Sequence, residues 1–283
     1  MRRPIISIFL FLAAVAVAVS AAGHFLSMPS KGPAGSPPKD LNARPVTFQS
    51  ESGNRISGWF IKGREDRGGI LLMHALRSSR LQMVKRAGFL NRYGYSVLLF
   101  DFQSHGESQG DRITFGYLEA LDAEAGFSFL EGQLADKRIG VIGVSLGGAA
   151  ALLGKVAGKA DALVLESVYP TFQEAVRNRL TMRLGRMGAY LEPLLTMQMA
   201  PVFGFGPDAL RPIDRIADAR GAVFVICGSL DRRTTPEESK RLYDRAPWPK
   251  RFWEIEGARH MDFSKFVPEA YEEQILAFFG EHL

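Results

Sequence analysis

Arg138-Ile139-Gly140-Val141-Ile142-Gly143-Val144-Ser145-Leu146-Gly147-Gly148-Ala149-Ala150-Ala151-Leu152-Leu153-Gly154 is the stretch that sets the fold class. Arg138–Val144 is a β-rich apolar run, and Leu146–Gly158 has helical spacing. Their junction, Gly143–Gly147, fits G-x-S-x-G. That pattern turns up by chance in about one chain in ten of this length, so context has to decide. A strand running straight into a helix through a serine-centred turn holds that serine in a strained conformation with its hydroxyl exposed. The turn is tight enough for side chains two positions either side of the serine to collide, which suits Gly143 and Gly147. The competing reading is a glycine-softened turn with an incidental serine.

Outward from this turn, short β-rich runs alternate with longer helical patterns. The predicted strands are Val46–Ser50, Arg55–Ile61, Gly69–His74, Tyr95–Phe102, Arg138–Val144, Asp161–Glu166, Ala222–Gly228 and Arg251–Glu256. Ile70–Met73, Val97–Phe100 and Val223–Cys227 are apolar throughout, as strands covered on both faces must be. Predicted helices are Arg80–Tyr93, Thr114–Leu134, Leu146–Gly158, Pro236–Arg245 and Ser264–Phe279. Thr235-Pro236-Glu237-Glu238 carries a Thr cap, a first-turn Pro and a Glu at the third position. Parallel strands joined by helices make a doubly wound α/β sheet. Residues 168–221 break the rhythm with helical spacing only, and are expected to form a small lid. Val176, Leu180, Leu184, Met187 and Leu191 share one helical face of this insertion, and Arg179, Arg183 and Arg186 another. The apolar stripe either packs the lid onto the sheet or meets a hydrophobic substrate. The basic face is solvated or contacts anionic lipid.

The first 44 residues are of another kind. Arg2 and Arg3 precede Ile5–Ala22, a run without charge. At 1.5 Å per residue this run spans about 27 Å, just short of a ~30 Å hydrocarbon core. Residues 1–22 therefore read as a signal anchor or a cleaved signal peptide, with Val19-Ser20-Ala21 as a cleavage site. The leading arginines favour an internal N-terminus, which places the remainder on the extracytoplasmic side. Residues 23–44, rich in Pro and Gly, read as a spacer, and the folded domain is expected over 45–283.

Composition narrows the function classes. Hydrophobic residues make up 46% and charged residues 23% of the 283, values of a globular chain. A net charge of +5, with no concentrated basic stripe, speaks against nucleic-acid binding. Cys227 is the only cysteine, so neither an internal disulfide nor a multi-cysteine metal site can form.

A serine hydroxyl needs a base to remove its proton, and that base needs an orienting group. In hydrolases built on such a turn the chain order is serine, acid, histidine. Of the five histidines, His24 lies in the spacer and His282 at the chain end, while His74 and His105 precede the serine. His260, between the last strand and the last helix, is the candidate base. Asp231 follows the buried strand Ala222–Gly228, at the strand edge where parallel sheets place ligands. It is the candidate acid, the alternative being a solvated aspartate paired with Arg232 or Arg233. Asp262 and Glu256 are too near His260 in sequence to reach it from a separate strand.

With these residues in order, Val46–Phe279 resembles the α/β-hydrolase superfamily, in its Bem46-like and serine-aminopeptidase-like branches. The matching pieces are His74-Ala75-Leu76, Asp101–Ser108, the turn at Ser145, Gly228–Pro236 and Gly257–Asp262. The resemblance implies an eight-stranded, mostly parallel sheet, the triad Ser145–Asp231–His260 and no cofactor. The amide of Leu146, next to the nucleophile, is the first oxyanion donor. By resemblance the second is the amide of Leu76. The family usually has glycine where this chain has Ala75, and a positive φ there would strain alanine. His74 and the Asp101–Ser108 turn are expected to shape this end of the sheet, with His105 within reach of substrate.

The reading is thus a serine hydrolase acting on an ester, thioester or amide, its partners an acyl or peptide substrate and, through the N-terminus, a membrane. The alternatives are an acyltransferase using the same three residues and a non-catalytic binding protein on the fold.

Overall fold

The computed structural model describes residues 2–134 and 136–283, without the side chains of 1–13 and 16. Eight strands form one sheet: β1 Arg44–Gln49, β2 Arg55–Ile61, β3 Gly69–Met73, β4 Ser96–Phe100, β5 Ile139–Val144, β6 Ala162–Glu166, β7 Ala222–Gly228 and β8 Lys250–Ile255. Their order across the sheet is β8-β7-β6-β5-β3-β4-β2-β1. Only β2 runs against the others, pairing antiparallel with both β1 and β4. All eight strands fall where the apolar runs predict them, with ends displaced by a residue or two.

The helices are α1 Arg2–Ser27, α2 Val84–Arg92, α3 Tyr117–Gln133, α4 Leu146–Leu153, α5 Phe172–Leu184, α6 Glu192–Thr196, α7 Met199–Phe203, α8 Pro236–Arg245, α9 Phe263–Phe266 and α10 Pro268–His282. Alternate residues of each buried strand serve opposite faces, as period-2 side chains require. Leu71, Met73, Val141, Leu163 and Val223 pack with α3, α4 and α8. Ile70, Leu72, Ile142, Val164 and Phe224 pack with α2 and α10. Each fully buried Leu or Phe contributes about 1.5–3 kcal/mol of transfer free energy. Cys227 belongs to this buried strand set, and burial pushes its thiol pKa up to about 12.

Two predicted helices end differently. α4 stops at Leu153, where Gly154 turns extended and Glu124 accepts the next amide, that of Lys155, at 2.9 Å. The last helix divides at Val267 (φ −130°, ψ 64°), because a residue before proline is forced out of the helical region.

Residues 23–44 are not a free spacer. Ser30–Lys31 pairs in parallel with His105–Gly106, and the Ile113 amide donates to Ser27 O at 2.8 Å. These are main-chain bonds, which Pro- and Gly-rich composition does not reveal. The reading of 1–22 as an anchor or signal falls largely outside the described side chains. Among the described residues, no helix is long and apolar enough to cross a membrane.

Candidate active site

Val144 ends β5, Leu146 begins α4, and Ser145 alone makes the turn at φ 50°, ψ −104°. A positive φ is costly for a residue with a Cβ and persists only when its surroundings enforce it. Here the Ser145 amide donates to Glu166 O at 2.8 Å, tying the turn to the end of β6. A Cβ on Gly143 would fall 2.5 Å from Gly148 Cα, and one on Gly147 would fall 2.4 Å from Met73 O. Glycine is therefore required at both positions by close backbone approach.

Asp231 and His260 meet across two interlocked loops. The Leu230 amide donates to Ala258 O at 2.8 Å, and the Gly257 amide to Ser229 Oγ at 2.8 Å. His260 Nδ1 donates to Asp231 Oδ2 at 2.8 Å, while Arg233 and Thr234 amides donate to Oδ1 at 2.8 and 3.0 Å. Burial works to raise the Asp231 pKa, but the His260 bond and charge and the two amides hold it below the ordinary carboxylate value. With Nδ1 carrying the proton, His260 Nε2 is left with a lone pair to act as base. Ser145 Oγ has no hydrogen-bond partner among the described residues, so the serine–histidine contact is open here. Such contacts often tighten only with substrate bound.

The loop after β3 supplies the other part. The Ala75 amide donates to Gln82 Oε1 at 2.8 Å, Arg77 to His105 Nε2 at 3.1 Å and Ser78 to Ala75 O at 3.2 Å. The Leu76 amide, between them, has no protein acceptor among the described residues, and neither has that of Leu146. Left-handed backbone in this loop falls at Arg77 (φ 56°), not at Ala75, so alanine is accommodated without strain.

His74 and His105 are structural posts. His74 Nδ1 donates to Ala75 O at 2.7 Å and Nε2 accepts from Phe102 N at 3.1 Å. Burial, helped by the charge of His105, pulls the His74 pKa down to about 3. His105 is fully buried with both ring nitrogens engaged, by Gln103 O and the Arg77 amide, so it has nothing left to offer a substrate. Asp262 accepts from Arg86 Nη1 at 2.8 Å and Ser264 Oγ at 2.7 Å rather than from His260, and Glu256 is exposed. Arg179 does not share an exposed face with Arg183 and Arg186. It is half-buried, and burial and the Arg233 charge lower its pKa.

Sequence reasoning passed over one buried network. Arg86 of α2 bonds Glu166 through Nη2 at 2.7 Å and Nε at 3.2 Å, Tyr271 Oη at 2.8 Å, and Asp262. It joins the end of β6, which holds the Ser145 amide, to the loop that carries His260. A glutamate closing the apolar strand Ala162–Glu166 was the available signal. Among the described residues, no group of three His, Cys, Asp or Glu side chains is placed to hold a metal.

Residues 70–273 match the family model described as the alpha/beta hydrolase family. An uncharacterized protein of Mycobacterium tuberculosis is 30% identical over 244 residues, covering 84% of this chain and 80% of its own length. The alpha/beta hydrolase domain-containing protein WAV2 of Arabidopsis thaliana is 27% identical, over 84% of this chain and 78% of its own. Among solved structures, the esterase Pf2001 of Pyrococcus furiosus superposes with a TM-score of 0.72 at 25% identity, covering 90% of this chain and 97% of that one. A serine-bearing strand–helix turn, an Asp–His pair on later loops, and a family match over most of the sheet converge on one statement: this chain belongs to the alpha/beta hydrolase family and has its fold.

Proposed function

We propose that this hydrolase is a serine hydrolase that cleaves an ester, thioester or amide through an acyl-enzyme on Ser145. The observation that carries the reading is the 2.8 Å bond from His260 Nδ1 to the buried Asp231, which leaves Nε2 free to act. In the first step His260 Nε2 takes the Ser145 proton as Oγ attacks the carbonyl carbon. The charge that develops on the carbonyl oxygen is met by the Leu146 and Leu76 amides. His260 then passes the proton to the leaving group, whose bond to the acyl carbon breaks. Water, deprotonated by the same imidazole, releases the acid and restores Ser145. Asp231 orients the ring and stabilises the imidazolium without itself taking the proton. The likeness to the Pyrococcus esterase favours an ester among the three bond types. Within the family, the motifs after β3 and β4 favour the Bem46-like and serine-aminopeptidase-like branches. Arg2 and Arg3 before Ile5–Ala22 support a catalytic domain on the extracytoplasmic side, secreted or tethered by residues 1–22.

Hydrolysis of p-nitrophenyl acetate by wild type, Ser145→Ala and His260→Ala tests the mechanism. Both variants are expected to lose at least about a thousandfold in kcat, the scale of removing a triad member. Turnover by Ser145→Ala within tenfold of wild type contradicts it.

A further inference from the structure

An apolar cleft lies where the N-terminal helix, the sheet domain and the lid meet. Leu26 and Gly23 from the end of α1, Phe115 from the loop before α3, and Phe172, Met199 and Phe203 from the insertion line a narrow cleft of about 40 Å³. Leu76, whose amide is the second oxyanion donor, packs against the cluster that contains Phe115 and Met199. Phe115 and Met199 thus link the cleft to the loop that carries Leu76.

Phe115 is held at φ 57°, a strained conformation for a bulky aromatic. Tyr169 Oη fixes it by donating to Phe115 O at 2.7 Å, and its ring meets Phe172 at 4.9 Å and Phe203 at 6.2 Å. Strain of this sort recurs at binding sites, where a side chain is aimed at a cost the surroundings sustain.

The α1 end is fastened in place by residues of the same loop. Arg77 Nη2 donates to Phe25 O at 2.6 Å and Leu26 O at 3.2 Å, with its guanidinium 5.5 Å above the Phe25 ring. Gln198 Nε2 donates to Val19 O at 3.2 Å from the lid side, and Gly23 lies so close to Gln198 that a Cβ would fall 2.4 Å from its Oε1. Arg77 directly follows Leu76, so a single residue couples the N-terminal helix to the oxyanion loop.

We infer that the end of α1, Gly23–Ser27, is one wall of an apolar acyl-binding pocket and sets the length of aliphatic acyl chain the enzyme accepts. The N-terminal segment is then part of the substrate site. The inference rests on the serine-hydrolase reading of Ser145 and extends it to a substrate class, esters of aliphatic carboxylic acids.

The test compares kcat/KM of the full chain on p-nitrophenyl acetate, butyrate and octanoate for wild type, Leu26→Trp and Leu26→Ala. Leu26→Trp fills the cleft and is expected to lower the butyrate-to-acetate ratio roughly tenfold or more, the scale of crowding a hydrophobic pocket. Leu26→Ala widens it and is expected to raise the octanoate-to-butyrate ratio. Ratios unchanged in both variants, with wild type active, overturn the pocket wall while leaving the triad reading intact. A wild type that hydrolyses none of the esters and reacts with no fluorophosphonate overturns both.

Discussion

Asp231 Oδ2 and His260 Nδ1 stand 2.8 Å apart although 29 residues separate the two side chains in sequence. The carboxylate is fully buried and already accepts two amides, so it has one free direction, toward the imidazole. Asp231→Asn removes the charge and presents an N–H to a nitrogen that must keep its own proton, which favours the wrong tautomer. The expected outcome is a fall in kcat of about 10⁴-fold with a much smaller change in KM, measured on a p-nitrophenyl ester. A loss under tenfold would remove Asp231 from its role.

Arg86 and Glu166 form a second pair, both side chains wholly out of solvent. Removing Glu166 leaves the buried Arg86 guanidinium with only the partly exposed Asp262 opposite it, and breaking a buried pair costs about 3–5 kcal/mol. Glu166→Leu is therefore expected to lower the urea midpoint strongly. The double variant Arg86→Met/Glu166→Leu is expected to regain much of that stability, since the fully buried cation has gone together with its fully buried partner. It is also expected to keep a lowered kcat, because Asp262 and the loop bearing His260 lose the contact that positions them. Equal destabilisation in the single and double variants would show that the pair does not act as one unit.

How far the sequence alone reaches is visible in these residues. The strands were legible because covering a sheet on both faces demands unbroken apolar runs such as Val223–Cys227. Asp231 and His260 were legible because each follows a strand at the edge where parallel sheets gather ligands. The Arg86–Glu166 pair was not, since a buried ion pair leaves no periodic trace and its members lie 80 residues apart. The docking of Ser27–Gly32 was hidden for a different reason. It is made of main-chain hydrogen bonds, which most residue types permit. The same holds for Arg179, whose inward turn depends on how α5 seats on the Asp231 loop and on α8, where Asn178 Nδ2 donates to Arg233 O at 3.3 Å and to Glu238 at 2.8 Å.

Asp122 gives a pH dependence. It is buried, with Ser52 Oγ on Oδ1 at 2.7 Å and the Gln103 amide on Oδ2 at 2.8 Å. Burial pushes its pKa up to about 7, the bonds from Ser50, Ser52 and Gln103 opposing and the Glu119 charge adding. Its unfolded pKa is about 3.9. A carboxyl raised on folding contributes stability that is full below the unfolded value and is lost as pH rises through the folded one. Asp122→Asn is expected to gain stability relative to wild type as pH rises from 4 to 7, the difference then levelling off. Urea unfolding at pH 4.5, 6 and 8 checks this, and a difference independent of pH would contradict it.

Gly147→Ala probes the turn itself. Its new Cβ would press on Met73 O, a backbone atom that cannot swing aside. The variant is expected to shift the serine and lower kcat by two orders of magnitude or more, in line with the roughly 100-fold cost of a 1 Å misplacement. Gly132→Ala, where a Cβ meets nothing within 4 Å, is the matched control and is expected to leave activity unchanged.

The most direct measurement is reaction of the full chain with a fluorophosphonate, followed by peptide mass mapping of the adduct. A single phosphonylated residue at position 145, absent in Ser145→Ala and slowed at least a hundredfold in His260→Ala, is the predicted result. An adduct on any other side chain, or labelling that persists in Ser145→Ala, would contradict the central claim.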